Sequence, residues 1–409
     1  MKVLVIAYVW PEPTSSAAGG RTMEILRVFR QQGWEVVVAS AAALSVHRED
    51  LSALGIAEKS IALNCTSFDD FIHEFQADIV LFDRFLSEEQ FGWRVEKHCP
   101  NSLRLLDTCD LHSLRETRHR LFKAQQAKAL TTLERQQLAP APHSREELFM
   151  AMAADDLTQR EIASIYRCDL SLIISSFEME LLIQQFGVPE YLLCWCNLLL
   201  MNQPKNLPSF EQRQGFISIG NFRHAPNWDA VLWLKQVIWP LIHAALPQAQ
   251  LRICGAYPPP KASALHQPAQ GFHVLGWVDD AHAVMTQARV CLAPLRFGAG
   301  IKGKLVDALA CGTPSVTTAV GSEGMCGDLP WAGVVANDAA AIAQAAINLY
   351  QDPMRWQHAQ DQGARLLAHY FDSKQSSAAL LLALEQALAQ KKGKAGSKFY
   401  WQYAASPCS

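Results

Sequence analysis

No stretch of this 409-residue sequence approaches the roughly 20 consecutive apolar residues that cross a bilayer. Nor does either charge dominate. Lys and Arg number 36 against 39 Asp and Glu, a formal charge of -3, so the strongly basic footprint of a nucleic-acid-binding protein is missing. Cysteine is present but unpaired. Eleven cysteines are scattered with no C-x-x-C and no histidine at metal-ligand spacing, the usage of reduced, buried thiols in a cytosolic protein rather than of a metal site or disulfide framework. The opening MKVLVIAYVWPEPTSSAAGG lacks the basic region of a signal peptide, and Trp10, Pro11 and Glu12 interrupt the path to a cleavage site. It reads as a buried first strand, and the protein as cytoplasmic.

What the sequence does have is alternation. In the first half, KVLVIAY (2–8), EVVVAS (35–40), DIVLFD (78–83), LRLLDT (103–108) and LSLIISS (170–176) alternate with helical stretches. In the second half GFISIG (215–220), LRICG (251–255), FHVLG (272–276), VCLAP (290–294) and SVTTA (315–319) do the same. Near-continuous apolar strands separated by helices predict parallel sheets covered on both faces. Two such series, in a chain too long for one core, predict two doubly wound α/β domains.

We place these domains at 1–200 and 201–375, with a final helix and tail over 376–409. The join falls between about Asn197 and Gln214, where NQPKNLPSFEQRQ is polar and proline-bearing. Residues 112–165, rich in Arg, Glu and Gln and broken by PAPH (140–143), predict two or three surface helices inserted in the first domain. The end, KKGKAGSKFYWQYAASPCS (391–409), is basic and then aromatic. It suits a frayed tail, a segment packed back on the body, or a peripheral contact with a membrane surface.

One loop concentrates glycine and lysine: GAGIKGKLVDALACG (298–312). Gly298, Gly300 and Gly303 spell the dinucleotide pattern G-x-G-x-x-G. Gly298, Gly303 and Lys304 spell a P-loop that runs into Leu305 where Ser or Thr belongs. The P-loop reading therefore lacks the hydroxyl that holds Mg²⁺. The dinucleotide reading is weakened because the pattern follows the domain's fourth strand rather than its first, although Glu323 stands about 20 residues on, where that pattern wants an acid.

Local geometry still points to an anion. A strand enters at 290–294 and a helix leaves, from about Ile301 to Cys311, stopped by Gly312 and Pro314. Its free N–H groups and positive dipole end face the glycines. Lys302 and Lys304 in the first turn have the wrong sign for that dipole unless an anion intervenes. Helical periodicity puts Ile301, Leu305, Ala308 and Leu309 on the buried face, and Gly300, Lys304 and Asp307 on another. Bare backbone, ammonium and carboxylate together suit a phosphate beside a sugar diol. The plainer reading is a glycine-rich turn with two solvated lysines.

PLRFGAGIKGKLVDALACGTPSVTTAVGSEGM (294–325) resembles the donor-binding region of the family 4 retaining glycosyltransferases of GT-B fold. FISIGNFRHAPNWDAVLWLKQVIWPLI (216–242) and FHVLGWVDDAHAVMTQARVCLAPL (272–295) resemble that family's preceding segments, in order. GGRTMEILRVFRQQGWEVVVAS (19–40) resembles its N-terminal loop, helix and second strand. The resemblance implies a GT-B fold, two Rossmann-like domains facing a cleft. It also implies a nucleotide-sugar donor held mainly by the second domain, no separate cofactor or metal, and a glycan or lipid-linked acceptor.

Carried over, the backbone from Gly300 through Lys302 and Gly303 to Lys304 would approach the diphosphate. Arg223, after the second domain's first strand, would counter its charge with Lys302 or Lys304. Asp307 falls where the family usually has a Glu on the ribose hydroxyls. Gly19 and Gly20 would let the N-terminal loop close over the sugar phosphate. Glu323 would touch the nucleotide or sugar edge, or else cap the following helix.

Cleavage of an anomeric carbon from a nucleotide diphosphate develops negative charge on the leaving oxygen, which fixed cations and helix N–H donors stabilise without a metal. Arginine suits that task through its planar fork, although a loop arginine such as Arg223 is as often plain surface. On the acceptor side, LLDTCDLHSLRET (105–117) ends a strand at Asp107 and offers Asp110 and His112, groups able to orient a hydroxyl or take its proton. Asp110 has a second reading as a helix cap. SSFEMELL (175–182) reads as Ser176 capping a helix with Glu178 and Glu180 in its first turns.

Besides Asp307 in place of Glu, the sequence departs from the family pattern in two places. Ala299 replaces the first Glu of E-x7-E, which contacts the transferred sugar. Cys109-Asp110 stands where the family often has His-Asp, leaving His112 as the substitute. Two other readings therefore stay open, an NAD-dependent sugar-nucleotide oxidoreductase or epimerase and a non-catalytic nucleotide-sugar-binding protein.

Overall fold

Strands form where the apolar runs lie, and each run feeds both faces of its sheet. The computed structural model describes residues 1–200 and 206–404, with side chains of the final helix as far as Lys392. In the first half β1 (Lys2–Ala7), β2 (Glu35–Ser40), β3 (Ala57–Ser60), β4 (Ile79–Asp83), β5 (Leu103–Asp107), β6 (Leu170–Ile173) and β7 (Leu193–Trp195) form one sheet in the order β3-β2-β1-β4-β5-β6-β7. In the second, β8 (Phe216–Ile219), β9 (Leu251–Cys254), β10 (Phe272–Gly276), β11 (Val290–Ala293), β12 (Ser315–Thr317) and β13 (Gly333–Val335) form another, in the order β10-β9-β8-β11-β12-β13. Every pairing in both is parallel.

Alternate residues of one strand enter opposite cores. Leu4 and Ile6 of β1 join Val37, Val80 and Phe82 on one face, while Val3 and Val5 join Val36, Ile79 and Leu81 on the other. A sheet packed on both sides needs unbroken apolar strands, which is why these runs were readable.

The strands not readable as runs, β3, β7 and β13, lie at sheet edges. All four residues of β3 are exposed, so no burial pattern marks them. The segment expected to hold two or three surface helices has four among the described residues: His112–Lys128, Thr132–Gln137, Arg145–Met152 and Asp156–Arg167. They are not purely superficial, since Leu114, Leu148, Met152 and Ile165 enter the first core.

The last helix, Ser373–Ala404, returns to the first sheet. Its Leu380 and Leu384 pack with Val3 and Val5, and Lys391 Nζ donates to the Ser102 carbonyl and to Asp169 Oδ2, the latter at 2.6 Å. The chain thus crosses between the sheets twice. The first crossing, expected between Asn197 and Gln214, falls partly outside the described residues, but Leu200 at its start forms a parallel bridge with Asp372 at the second. The aromatic tail on which a membrane contact was expected lies beyond the described side chains. Among the described residues no helix is long and apolar enough to cross a membrane.

A buried ion pair ties the first domain together. Arg21, on the helix Ala17–Gln31, donates through Nε to both Asp107 oxygens at 2.9 Å and through Nη1 to the Cys196 carbonyl at 2.7 Å. Removing one partner strands the other charge in the core, so Asp107→Ala should lower unfolding stability by roughly 3–5 kcal/mol. The double variant Asp107→Leu with Arg21→Met should lose markedly less; urea denaturation of both proteins checks this.

Candidate active site

The helix Gly303–Ala310 starts two residues later than its sequence suggests, with Lys302 as cap residue. Gly300 is left-handed (φ 63°) and Lys302 extended (φ -87°, ψ 92°), so helical turns cannot begin sooner. The predicted buried face holds: Ile301, Leu305, Ala308 and Leu309 are buried. Ile301, Leu305 and Leu309 share a core with Ile174 and Leu198 of the first domain, and this contact sets the helix tip at the domain interface.

There the two domains touch closely. A Cβ on Gly300 would lie 2.7 Å from Asp110 Cβ, and one on Gly303 would lie 2.5 Å from Ala17 Cβ. Ala17 is the first residue of Ala17–Gln31, so helix N-termini from opposite domains meet. The gap is closed on the tip rather than standing open before it. The Gly303 and Lys304 amides have no acceptor among the described residues.

Both lysines are sheltered. Lys302 Nζ donates back to the Gly300 carbonyl at 2.7 Å, and Lys304 Nζ donates to Asn227 Oδ1 at 2.7 Å. Burial pushes each down to about 8. Asp307 is half-exposed, with Oδ1 3.0 Å from His282 Nε2; that hydrogen bond raises His282.

The remaining donor-side candidates are dispersed along the interface. Arg223 is not drawn to the lysines. It lies exposed on the rim, with its guanidinium 3.7 Å from the Tyr257 ring centroid. Gly19 and Gly20 sit inside the first turns of Ala17–Gln31 rather than in a loop, and Ser16 caps that helix by accepting from the Gly19 amide at 3.0 Å. The Glu12 backbone crosses directly over Gly19, in contact that leaves no room for a Cβ. Glu323 does not cap the following helix; it stands at the C-cap position of Ala319–Ser322 and accepts from Arg118 Nη1 and Nη2, each at 2.7 Å, across the domain gap.

On the acceptor side, Asp110 and His112 do come together. His112 Nε2 is 3.5 Å from Asp110 Oδ1, and Arg115 pairs with the other carboxylate oxygen. Burial opposes ionisation of Asp110, but Arg115 and His112 outweigh it and hold the group at about 2. Burial pushes His112 down to about 4, so the imidazole is neutral at physiological pH. Asp110 is not the cap of His112–Lys128. Glu161 accepts from the His112 and Ser113 amides at 2.9 and 3.0 Å instead.

Sequence reasoning missed several participants. Glu178, read as an ordinary first-turn residue, accepts from the Leu111 amide at 3.0 Å and the Gly300 amide at 2.8 Å, joining both halves of the site. Arg118 and Asn227 carried no local signal, because their partners lie 205 and 77 residues away. Glu12 accepts from the Tyr257 hydroxyl at 2.9 and 3.0 Å, and His47 stacks on Trp277 with ring centroids 4.0 Å apart. Both contacts bridge the domains at the rim.

With this geometry in hand, comparison with known proteins is informative. The family model of glycosyl transferases group 1 matches residues 213–352. No curated protein matches the sequence. Among solved structures, sucrose-phosphate synthase from Thermosynechococcus elongatus superposes with TM-score 0.61 at 15% identity, covering 95% of this chain and 100% of that one. HepE of Anabaena, in complex with UDP and glucose, gives 0.63 at 12% identity, covering 94% and 99%. A glycosyltransferase from Rickettsia africae gives 0.59 at 11% identity, covering 95% and 98%. These likenesses establish the fold over nearly the whole chain, and the family match covers the domain carrying the glycine–lysine loop. Residues 213–352 are thus similar to the glycosyl transferases group 1, and the chain as a whole has the GT-B architecture.

Proposed function

We propose that this glycosyltransferase moves a sugar, with retention at the anomeric carbon, from a UDP- or GDP-sugar to a saccharide or lipid-linked acceptor in glycan biosynthesis, without a metal ion. The observation that carries this reading is the meeting of two helix N-termini at Gly303 and Ala17, with acceptor-free amides and two sheltered ammonium groups alongside. Like charges gathered there need an anion between them, and a diphosphate has the size and charge for it. The solved HepE complexes hold UDP and glucose or UDP-glucose, which supports the same class of donor here.

Because the gap is closed on the tip, the domains part to admit the donor and close again around it. As the leaving oxygen gains charge, Lys302, Lys304 and the helix amides stabilise it. Asp110, ionised, and His112, neutral, orient the acceptor hydroxyl, and Asp110 receives the hydroxyl proton or passes it to the departing phosphate. Asp307 falls where the ribose hydroxyls are expected, with His282 holding its carboxylate. Arg223 reaches the diphosphate only by leaving the Tyr257 ring.

Three outcomes test this. In thermal-shift titrations UDP or GDP should raise the unfolding temperature and NAD(H) should not. Lys304→Ala should weaken nucleoside-diphosphate binding about 10-fold or more, the value of one charge-assisted hydrogen bond. Asp110→Asn should lower kcat by roughly 10²–10⁴ while leaving nucleotide affinity intact; transfer assays beside calorimetry separate the two effects.

A pH profile supplies a further test. The lysines are cationic below about pH 8 and lose charge as pH rises through that value. Accordingly kcat/KM should fall on an alkaline limb near pH 8, and Lys304→Arg should move that limb to higher pH.

A further inference from the structure

The carboxyl ends of β1, β4 and β5 lie beside Asp110 and His112, and a cation without a hydrogen-bonded carboxylate among the described residues stands there. Arg84 follows Asp83 at the end of β4 with φ 69°. That left-handed conformation costs a residue with a side chain roughly 1–2 kcal/mol, and such strain gathers at functional sites. The Arg84 side chain is 17% exposed, and its ion contact, Nε to Asp83 Oδ1, spans 3.6 Å, too far for a hydrogen bond.

The acidic groups around it are engaged elsewhere. Asp83 Oδ2 accepts from the Tyr8 amide at 3.0 Å, and its Oδ1 takes the Cys109 thiol at 3.3 Å. Asp107 is held by Arg21, and Asp110 by Arg115. Arg84 meets the Cys109 sulfur, a weak acceptor, and no carboxylate oxygen among the described residues lies within hydrogen-bond distance of its fork. Beside it stands an uncovered platform: the Tyr8 ring centroid is 5.3 Å from the guanidinium, and Tyr8 and Val9 are 40% and 42% exposed.

We propose that Arg84 and Tyr8 form the acceptor subsite, and that the acceptor carries an anionic group, a phosphate or a carboxylate, gripped by the Arg84 fork. A sheltered guanidinium keeps its charge, and its paired terminal N–H groups match two oxygens of one anion. A neutral hydroxyl would satisfy one donor and leave the rest of the fork unmatched. The ring of Tyr8 gives a sugar or alkyl neighbour of the anion a surface to lie on. Naming the ligand an acceptor rests on the transfer reading above, whereas anion binding at Arg84 is measurable without transfer.

Calorimetry on the full chain, with and without saturating UDP, tests this with two pairs of probes: methyl glucuronide against methyl glucoside, and hexyl phosphate against hexanol. At least one anion should bind tenfold or more tightly than its neutral counterpart, the first pair reporting a carboxylate acceptor and the second a phosphate acceptor. Arg84→Gly, which relieves the backbone strain and so preserves folding, should abolish that preference while leaving UDP affinity unchanged. Arg84→Lys should keep part of it, and Arg84→Gln replaces the glycine variant if that one unfolds.

Equal binding of charged and neutral probes by the parent protein, or an undiminished preference after Arg84→Gly, overturns the proposal. If UDP fails to bind the parent protein, the transfer reading fails instead, and the anion preference stands or falls by its own arm of the experiment.

Discussion

Two positive helix ends held together across a domain gap are the constraint on which the site depends. Each end is equivalent to roughly half an elementary charge, and Lys302 and Lys304 add two more cations whose lowered basicity reflects their burial. Apolar contact keeps them there. Ile301, Leu305 and Leu309 pack with Ile174, Leu198 and Phe371, and each fully buried side chain of this kind contributes roughly 1.5–3 kcal/mol. Cohesion of the apolar cluster thus opposes repulsion at the tip. An anion seated between the helix ends would remove the repulsion and leave the cohesion that holds the interface closed.

The inserted helices share in that closure. Arg118, on His112–Lys128, forks onto Glu323 and also donates to the Gly298 carbonyl at 2.9 Å. His119 of the same helix stacks on Phe297 with ring centroids 4.4 Å apart. From the other side Arg296, paired with Asp229 at 2.7 and 2.8 Å, reaches the Leu138 carbonyl at 3.3 Å. The insertion is therefore a strap laid over the glycine loop. These contacts tie the insertion to the second domain, while the two chain crossings, bridged at Leu200 and Asp372, lie side by side.

The doubly covered sheets were legible because parallel strands bury both faces and so appear as unbroken apolar runs. Edge strand β3, exposed throughout, offered nothing to read. The helix tip was legible because glycine, lysine and helix punctuation are local. Everything joining the halves was not: Glu178 to Gly300, Arg118 to Glu323 and Glu12 to Tyr257 are contacts between residues 122 to 245 positions apart, and each partner taken alone is an ordinary surface side chain. The same holds for Arg223, whose position after β8 suggested an inward role, whereas the nearby Tyr257 ring holds it on the rim.

The alanine at position 299 has an explanation in this packing. Ala299 is half-buried against the first domain's core, and the next residue, Gly300, already touches Asp110 and the Cys109 carbonyl. A glutamate at 299 would have to lie in that closed interface. Its absence does not leave the loop without an acidic side chain, since Glu178 reaches the Gly300 amide from the opposite domain. Burial, reinforced by the Asp110 charge, pushes Glu178 up to about 8, so at neutral pH the group is largely protonated. A neutral acid can hold two amides without adding negative charge beside the proposed diphosphate position. The Glu178 side chain reaches that amide from across the domain interface, which ties the conformation of the glycine loop to the contact between the domains.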